Sequence, residues 1–111
     1  MPYNGGTTIL QALWMGVPAV VKAGGNFVSR MGASFMTAAG LSEWVAESYA
    51  DHVRIAAAMA KDPQALLQLK QGMRERLLAS PFGTLTDTPA IFENALRQMW
   101  LAHCQKFSEN V

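Results

Sequence analysis

The feature that most constrains the fold is a short apolar segment, residues 19–22, bounded by turn signals on both sides. It reads Ala-Val-Val-Lys, which is typical of a short buried strand. A glycine and a proline precede it closely, and two glycines follow it. Helical patterns flank it at residues 7–15 and 27–39. This alternation of helix and strand predicts an α/β fold with a parallel sheet.

The rest of the sequence is predicted to be mainly helical. Residues 44–46 are compatible with either a second short strand or one helical turn. Ser48, Asp62, and either Asp87 or Thr88 then have the character of N-caps, and Asp51 stands at the acidic position of a capping box with Ser48. Together the patterns predict a helix-rich α/β chain with two short parallel strands and about five helices, forming a single domain over residues 1–111. The last three helices are predicted over residues 49–61, 63–79 and 89–105, and the tail after residue 105 is expected to fray.

The composition argues against several classes of function. Basic and acidic side chains nearly balance, with a net charge of +1 over 111 residues, so no nucleic-acid surface is indicated. The apolar runs are too short to span a membrane, and no signal peptide is expected. Cys104 is the only cysteine, which excludes an internal disulfide and favours a reducing cytoplasm.

One segment has a clear chemical interpretation, the run Asn-Gly-Gly-Thr-Thr at residues 4–8, which leads into the first helix. Glycines let a backbone approach a ligand closely. The first turn of a helix offers unpaired N–H groups and a partial positive charge, which together favour phosphate. The alternative is an ordinary glycine-rich turn with a threonine N-cap.

Most other polar and aromatic residues favour structural or surface roles. His52 and His103 have no partner at metal-ligand spacing, so no metal site is predicted, and His52 is interpreted as a solvated surface residue. Lys22 ends the first strand and is interpreted as a solvated residue. Arg30 either reaches toward a ligand cleft or ties two helices together, and the structural role is favoured. The tryptophans Trp14, Trp44 and Trp100 are predicted to be core anchors.

The last predicted helix carries an apolar stripe. Phe92, Leu96, Met99 and Trp100 recur at spacings of three and four residues, which places them on one face. If no other part of a protein covers this face, it favours self-association.

Three motifs occur in a fixed order along the chain. They are Asn-Gly-Gly-Thr-Thr at residues 4–8, Leu-Trp-Met-Gly-Val-Pro at 13–18, and Ser-Arg-Met-Gly-Ala-Ser at 29–34. In this order they resemble the C-terminal catalytic half of the O-GlcNAc transferase and SPINDLY family of glycosyltransferases. Ser80-Pro81 and Gln98-Met99-Trp100 extend the similarity to about residues 2–100. The resemblance implies a GT-B architecture, with this chain as the C-terminal part of its partly Rossmann-like donor domain.

The resemblance also implies a site for UDP-GlcNAc. In the family, the paired threonines meet the diphosphate at a helix N-terminus, and an acidic residue holds the ribose hydroxyls. The predicted donor-binding residues are therefore Asn4, Gly5, Gly6, Thr7, Thr8 and Gln11.

Two of these positions depart from the family pattern. Gly6 stands where relatives often have His or Thr, so a side-chain contact is missing. Gln11 stands at the acidic ribose position and lacks the charge. Since a charge-assisted hydrogen bond contributes about 1 kcal/mol more than a neutral one, weaker nucleotide binding is expected. The alternative interpretation of Gln11 is a plain surface residue of the helix.

The activity that the resemblance implies is transfer of the sugar, with inversion, to Ser or Thr of an acceptor protein, without a metal or other cofactor. The family's diphosphate-binding lysine, its uracil contacts, its acceptor domain and its TPR repeats all lie upstream of this segment. No catalytic residue is therefore assigned, and the chain alone is expected to be inactive. The alternative is a stand-alone, non-catalytic remnant that serves as a protein-interaction module, which Gly6 and Gln11 favour mildly.

Overall fold

The computed structural model describes residues 3–84 and 86–109, and it contains five α-helices and two short strands. The first helix and strand are α1 and β1, and a single 3-10 turn at Ser42–Trp44 precedes β2. The bounds are α1 Thr7–Trp14, β1 Val21–Lys22, α2 Phe27–Ala38, β2 Val45–Ala46, α3 Tyr49–Ala60, α4 Pro63–Ala79 and α5 Thr88–Glu109.

The sheet is parallel, as the sequence predicts. Val21 pairs with Val45 and Lys22 with Ala46, and α2 forms the connection between the two strands. The N–H of Ala23 extends the pairing by donating to the carbonyl of Ala46 over 2.9 Å. The first strand is shorter than predicted, because only the last two residues of the segment 19–22 join the ladder. Both alternatives for residues 44–46 occur, since Trp44 ends the 3-10 turn and the next two residues form β2.

The helix boundaries follow the local signals closely. Gly16 and Gly40 have φ values of +80° and +72° just after α1 and α2, a conformation that glycine adopts without strain. Asn26 and Ser29 form a reciprocal capping box at the start of α2. Asp62 caps α4 by accepting from the N–H of Ala65 over 3.0 Å.

The start of α3 differs in one detail from the predicted capping box. The Ser48 hydroxyl accepts from the N–H of Asp51 over 3.0 Å, as expected of an N-cap. The Asp51 carboxylate, however, accepts from the N–H of Glu47 over 3.2 Å, one residue earlier than the N-cap itself. Both bonds satisfy backbone donors at the point where the chain leaves β2.

The core lies between the sheet and helices α1, α2 and α4. Its largest fully buried side chains are Leu13, Met36, Leu41 and Met73, contributed by α1, α2, the loop after α2, and α4. Trp44 is 5% exposed and is the one predicted tryptophan anchor that the structure confirms. The core thus holds the sheet and its neighbouring helices as one packed unit.

Helix α5 is a different kind of element, because none of its 22 residues is buried. It continues to Glu109, so the prediction of fraying after residue 105 is wrong for residues 106–109; residues 110 and 111 lie outside the described part. Trp100 is 65% exposed and Trp14 is 45% exposed, so neither is the predicted core anchor. The apolar stripe of Phe92, Leu96, Met99 and Trp100 is exposed along α5, as the sequence suggested for an uncovered face.

Candidate functional site: the glycine loop before α1

The loop at residues 3–6 is held in place by a single buried side chain, that of Asn4. The backbone N–H of Asn4 donates to the carbonyl of Val28 over 3.0 Å. Its side-chain Nδ2 donates to the carbonyl of Ser29 over 2.5 Å and to that of Lys22 over 3.3 Å. Asn4 therefore ties the loop to the end of β1 and to the first turn of α2. Its amide nitrogen is directed into the protein, so its role in any ligand site is to position the loop.

The glycines near this loop allow close packing. A Cβ at Gly6 would lie 3.1 Å from the sulfur of Met31, and one at Gly5 would lie 3.2 Å from Cγ1 of Ile9. Gly32, on α2, faces the loop from the other side, since a Cβ there would lie 3.1 Å from Cδ1 of Ile9. The chain can thus pass close to α2 and turn directly into α1.

Helix α1 divides its side chains between core and solvent. Ile9 and Leu13 are buried, whereas Thr7, Thr8 and Gln11 are exposed. The predicted donor-binding side chains on α1 therefore lie on its accessible surface, close to the helix N-terminus. This exposure is compatible with the prediction that they meet a ligand.

The start of α1 differs from the starts of the other helices for which a cap is described. The first turns of α2, α3 and α4 are capped by the side chains of Asn26, Ser48 and Asp62. Helix α1 begins instead at Gly6, with no side-chain cap. The N–H groups of Ile9 and Leu10 bond to the Gly6 carbonyl, at 3.0 and 3.4 Å. The first helical N–H groups, at Thr7 and Thr8, are the ones that an α-helix leaves available for an anion.

A cavity of about 380 Å³ opens beside the loop along β1. Besides Asn4, Gly5 and the strand, it is lined by Tyr3, Lys22, Tyr49 and His52. The Lys22 ammonium lies 5.0 Å from the centre of the Tyr49 ring, and the two side chains form a cation–π pair. Lys22 is half-buried, so its interpretation as a solvated residue is wrong.

His52 is also more than a surface residue. Its Nε2 lies 3.2 Å from the carbonyl oxygen of Val20, within hydrogen-bond distance, and the residue is half-buried. The prediction that it is solvated is therefore wrong. Only a weak sequence signal indicated that Lys22, Tyr49 and His52 lie together. Lys22 ends a strand and Tyr49 begins a helix, and these two positions meet at the carboxyl edge of a parallel sheet.

Arg30 has a structural role, as favoured, but it ties α2 to the preceding loop and not to another helix. Its Nη1 donates to the carbonyl of Gly24 over 3.0 Å, which fixes the loop between β1 and α2. Gly24 is needed there, because a Cβ would lie 2.0 Å from Oγ of Ser29. Gly25 has open space instead. The loop beside the candidate site is thus held by both a hydrogen bond and close packing.

One titratable group near this edge has a clearly shifted pKa. The hydrogen bond from the Arg54 guanidinium, followed by that from the Glu47 backbone N–H, lowers the pKa of Asp51 below its ordinary value. Both interactions stabilise the charged carboxylate at the first turn of α3.

Residues 3–84 and 86–109 contain neither a metal-binding cluster nor a membrane-spanning helix. No group of three or more His, Cys, Asp or Glu side chains is placed to hold a metal ion. No helix in these ranges is both long enough and apolar enough to cross a membrane.

Comparison with known proteins shows which family the chain belongs to. The family model described as glycosyl transferase family 41 matches residues 2–88. The glycine loop and all of α1 fall within the match.

The chain is similar to plant proteins named as probable UDP-N-acetylglucosamine–peptide N-acetylglucosaminyltransferase SPINDLY. It is 36% identical over 103 residues to that of Hordeum vulgare, covering 93% of this chain and 11% of the relative. It is 34% identical over 104 residues to that of Arabidopsis thaliana, and this match covers 94% of this chain and 11% of the relative. The chain thus spans about a tenth of the length of these relatives.

The fold is also similar to a solved structure, that of a mutant O-GlcNAc transferase from Thermobaculum terrenum. The TM-score is 0.76 and the sequence identity 37%, and the match covers 96% of this chain and 20% of the solved one. The helix-rich α/β architecture with two parallel strands is therefore that of a segment of this enzyme.

Proposed function

Since the chain belongs to glycosyl transferase family 41, we propose that it forms part of the UDP-GlcNAc-binding domain of a protein O-GlcNAc transferase-like enzyme. The reaction proposed for the whole enzyme is transfer of a sugar from a UDP-sugar to Ser or Thr of a protein. The observation that carries the proposal is the start of α1, where two exposed threonines follow a glycine N-cap that supplies no side-chain cap.

The proposed role of this helix start is to bind the diphosphate. The N–H groups of Thr7 and Thr8 and the positive end of the helix dipole are suited to oxygen atoms that carry negative charge. The two threonine hydroxyls add donors beside them. Negative charge builds up on the leaving diphosphate during transfer, so donors fixed in advance lower the barrier. We propose that this stabilisation requires neither a metal nor another cofactor.

Gln11 lies one helical turn beyond Thr7 and Thr8 and is exposed on the same helix. We propose that its side-chain amide bonds to the ribose hydroxyls. A neutral amide makes these bonds without charge assistance, which lowers the affinity for UDP.

The chain is proposed to contribute only one part of the complete site. None of its residues is assigned a catalytic role, and acceptor binding is attributed to an upstream region of the enzyme. The chain alone is therefore expected not to turn over a UDP-sugar. A cytoplasmic location is proposed on the same grounds as before, from the single cysteine.

The direct test is a titration of the isotopically labelled chain with UDP, followed by amide NMR. We expect saturable shifts for the amides of residues 5–11. Thr8→Val should weaken binding several-fold, because it removes a hydroxyl donor from the helix start. Thr37→Val, an exposed threonine on α2, is the matched control and should leave binding unchanged. Uridine, which lacks the diphosphate, should produce much smaller shifts at these amides.

Two outcomes would contradict the donor-site proposal. One is a well-dispersed spectrum in which residues 5–11 do not move at millimolar UDP. The other is a set of UDP shifts confined to a different surface of the chain. In either case the chain would remain a family member without a demonstrated donor site.

The proposed ribose contact has its own test. Gln11→Glu restores a carboxylate of nearly the same shape, so UDP should bind about fivefold more tightly, corresponding to about 1 kcal/mol. Titration calorimetry would measure this change. An unchanged or weaker affinity would assign Gln11 to the solvated surface of α1.

We also propose that α5 mediates self-association. Its exposed apolar side chains include Phe92 at 66% and Trp100 at 65% exposure, and contiguous apolar surface of this kind favours contact with another protein. Sedimentation velocity should show a concentration-dependent dimer that Trp100→Glu abolishes. A chain that stays monomeric at high concentration would leave α5 without this role.

A further inference from the structure

A second cavity lies at the opposite end of α1 from the glycine loop, and the proposed function does not use it. Its volume is about 500 Å³, which falls within the range of small-molecule sites. Val17 and Pro18 line it from the loop after α1, Ala56 and Met59 from α3, and Leu66 and Leu67 from α4. These six residues define what we call the apolar slot.

The slot has one charged residue in its lining, Lys70 of α4. Gly16 brings the chain close to this lysine, since a Cβ at position 16 would lie 2.7 Å from Cγ of Lys70. The apolar stem of Lys70 is thus packed at the edge of the slot. No residue of the described ranges forms an ion pair with its ammonium group.

A second cation lies one helical turn further along α4. Arg74 lines a neighbouring cavity that shares Gly16, Leu67 and Lys70 with the slot. Its Nε donates to the carbonyl of Trp14 over 3.1 Å, and its guanidinium lies 5.2 Å from the centre of the Trp14 ring. The arginine is therefore held at this end of the slot, four residues from Lys70 and on the same face of α4.

A cavity with acidic residues in its lining adjoins the slot. Trp44, Met59 and Leu66 line both cavities, and the lining of the second also includes the acidic residues Glu43 and Asp62. The slot thus has a cation in its own lining and acidic side chains in a neighbouring cavity. A ligand with a single charged group would be oriented by this arrangement.

From this polarity we propose that the slot binds a medium-chain fatty acid, with its alkyl chain against the six apolar residues and its carboxylate near Lys70 and Arg74. The alkyl chain of the fatty acid would cover apolar side chains that are otherwise in contact with water, and this burial is the main source of affinity. The carboxylate would pair with the lysine. A cationic amphiphile would place its charge beside Lys70, and a neutral one would gain no ion pair.

The test uses decanoate below its micelle concentration, with 1-decanol as a ligand of the same chain without the charge. Amide NMR of the labelled chain should show saturable decanoate shifts around Val17, Ala60 and Lys70. Ala60 also lines the slot, so Ala60→Phe fills it and should weaken binding by about tenfold or more. Ala57→Phe adds the same ring at an exposed position of α3 outside the slot, and it should leave binding unchanged.

The charge is tested separately with Lys70→Met, which keeps an apolar stem. Decanoate binding should weaken about two- to fivefold, as for a partly exposed ion pair, whereas decanol binding should not change. Lys106→Met removes a lysine from α5 and is the control for net charge. The proposal is overturned if decanoate does not bind, if its shifts fall on α5 instead, or if Ala60→Phe and Ala57→Phe behave alike. Equal effects of Lys70→Met on the two ligands would overturn the role of the charge.

Discussion

The packed body, residues 3–84, and helix α5 are both built largely from helix, but different interactions hold them. In the body, the sheet and helices α1, α2 and α4 share one core, and α3 packs against it through Met59. Residues such as Leu13 and Met73 are completely buried there. In α5, no residue is buried, and the described contacts are local, such as the Arg97–Glu93 pair at 3.6 Å. Helices α1 to α4 are thus stabilised by packing on one another and on the sheet, whereas α5 is stabilised mainly by contacts within the helix itself.

This difference has an energetic consequence. Most helices in proteins owe their stability to an amphipathic face packed on a core, because the intrinsic preference of a short helix is marginal. With 22 residues, α5 is long enough to form with local contacts, but its apolar face gains nothing from burial. Substitutions of the same type should therefore have large effects in the body and small ones in α5.

The largest contrast is expected for two methionines. Met73 is 0% exposed and Met99 is 69% exposed. Met73→Ala should reduce the free energy of unfolding by about 2–5 kcal/mol through lost burial and a cavity. Met99→Ala should change it by less than about 0.5 kcal/mol. Urea denaturation would measure both, and equal losses would show that α5 is packed on the body.

The next contrast concerns two asparagines. Asn4→Ala removes the two hydrogen bonds that its side chain donates to the carbonyls of Ser29 and Lys22, which should cost about 1–3 kcal/mol of stability. Asn94→Ala, on exposed α5, should change the stability of the body by no more than a few tenths of a kcal/mol. Thermal unfolding of the two variants provides the comparison. If Asn4→Ala were neutral, the loop would be held by packing and by the backbone bond to Val28, without help from the Asn4 side chain.

A gain in stability is expected at Gly72, in the exposed part of α4. A Cβ added there meets no atom within 4 Å. Gly72→Ala should therefore stabilise the body by about 0.5–1 kcal/mol through backbone entropy. The reverse change on α5, Ala102→Gly, should lower helicity by circular dichroism while leaving the urea midpoint of the body unchanged. Gly40→Ala is the control that should destabilise, because Gly40 has a φ of +72°.

The smallest effect expected is a dependence on pH. The pKa of Asp51 is lower in the folded state than in the unfolded state. The contribution of Asp51 to stability is therefore present above the unfolded pKa of about 3.9, and it is lost as the pH falls through the lower folded value. Asp51→Asn should therefore flatten the acid side of the stability profile below about pH 4. Glu93→Gln in α5 should leave that profile unchanged. A profile that keeps its slope in Asp51→Asn would assign the acid sensitivity to another carboxylate.

Much of the body could be predicted from local signals. The glycines that end α1 and α2, and the capping residues Ser48 and Asp62, act within a few residues of themselves, so their effects can be recognised in the sequence. The parallel sheet followed from the alternation of helix and strand. The candidate site was found from the glycine loop together with the family resemblance, and its ligand contacts remain a prediction.

What could not be predicted depends on distant parts of the chain. The Asn4 contacts with Lys22 and Ser29 join residues 18 and 25 positions apart, and no local pattern specifies them. The same holds for the contact of His52 with Val20, 32 positions away. Trp14 and Trp100 were misassigned because their hydrophobicity indicates burial, whereas burial also requires an element that covers them.

The Asn4 contacts also have a consequence for the thermodynamics of binding. A loop that orders only when its ligand arrives opposes association through lost conformational freedom. Here the backbone before α1 is already anchored at three carbonyls, so that ordering takes place when the protein folds. A ligand at the start of α1 would therefore associate with little additional loss of chain entropy. Changes at Asn4 would appear in calorimetry mainly as a less favourable binding entropy.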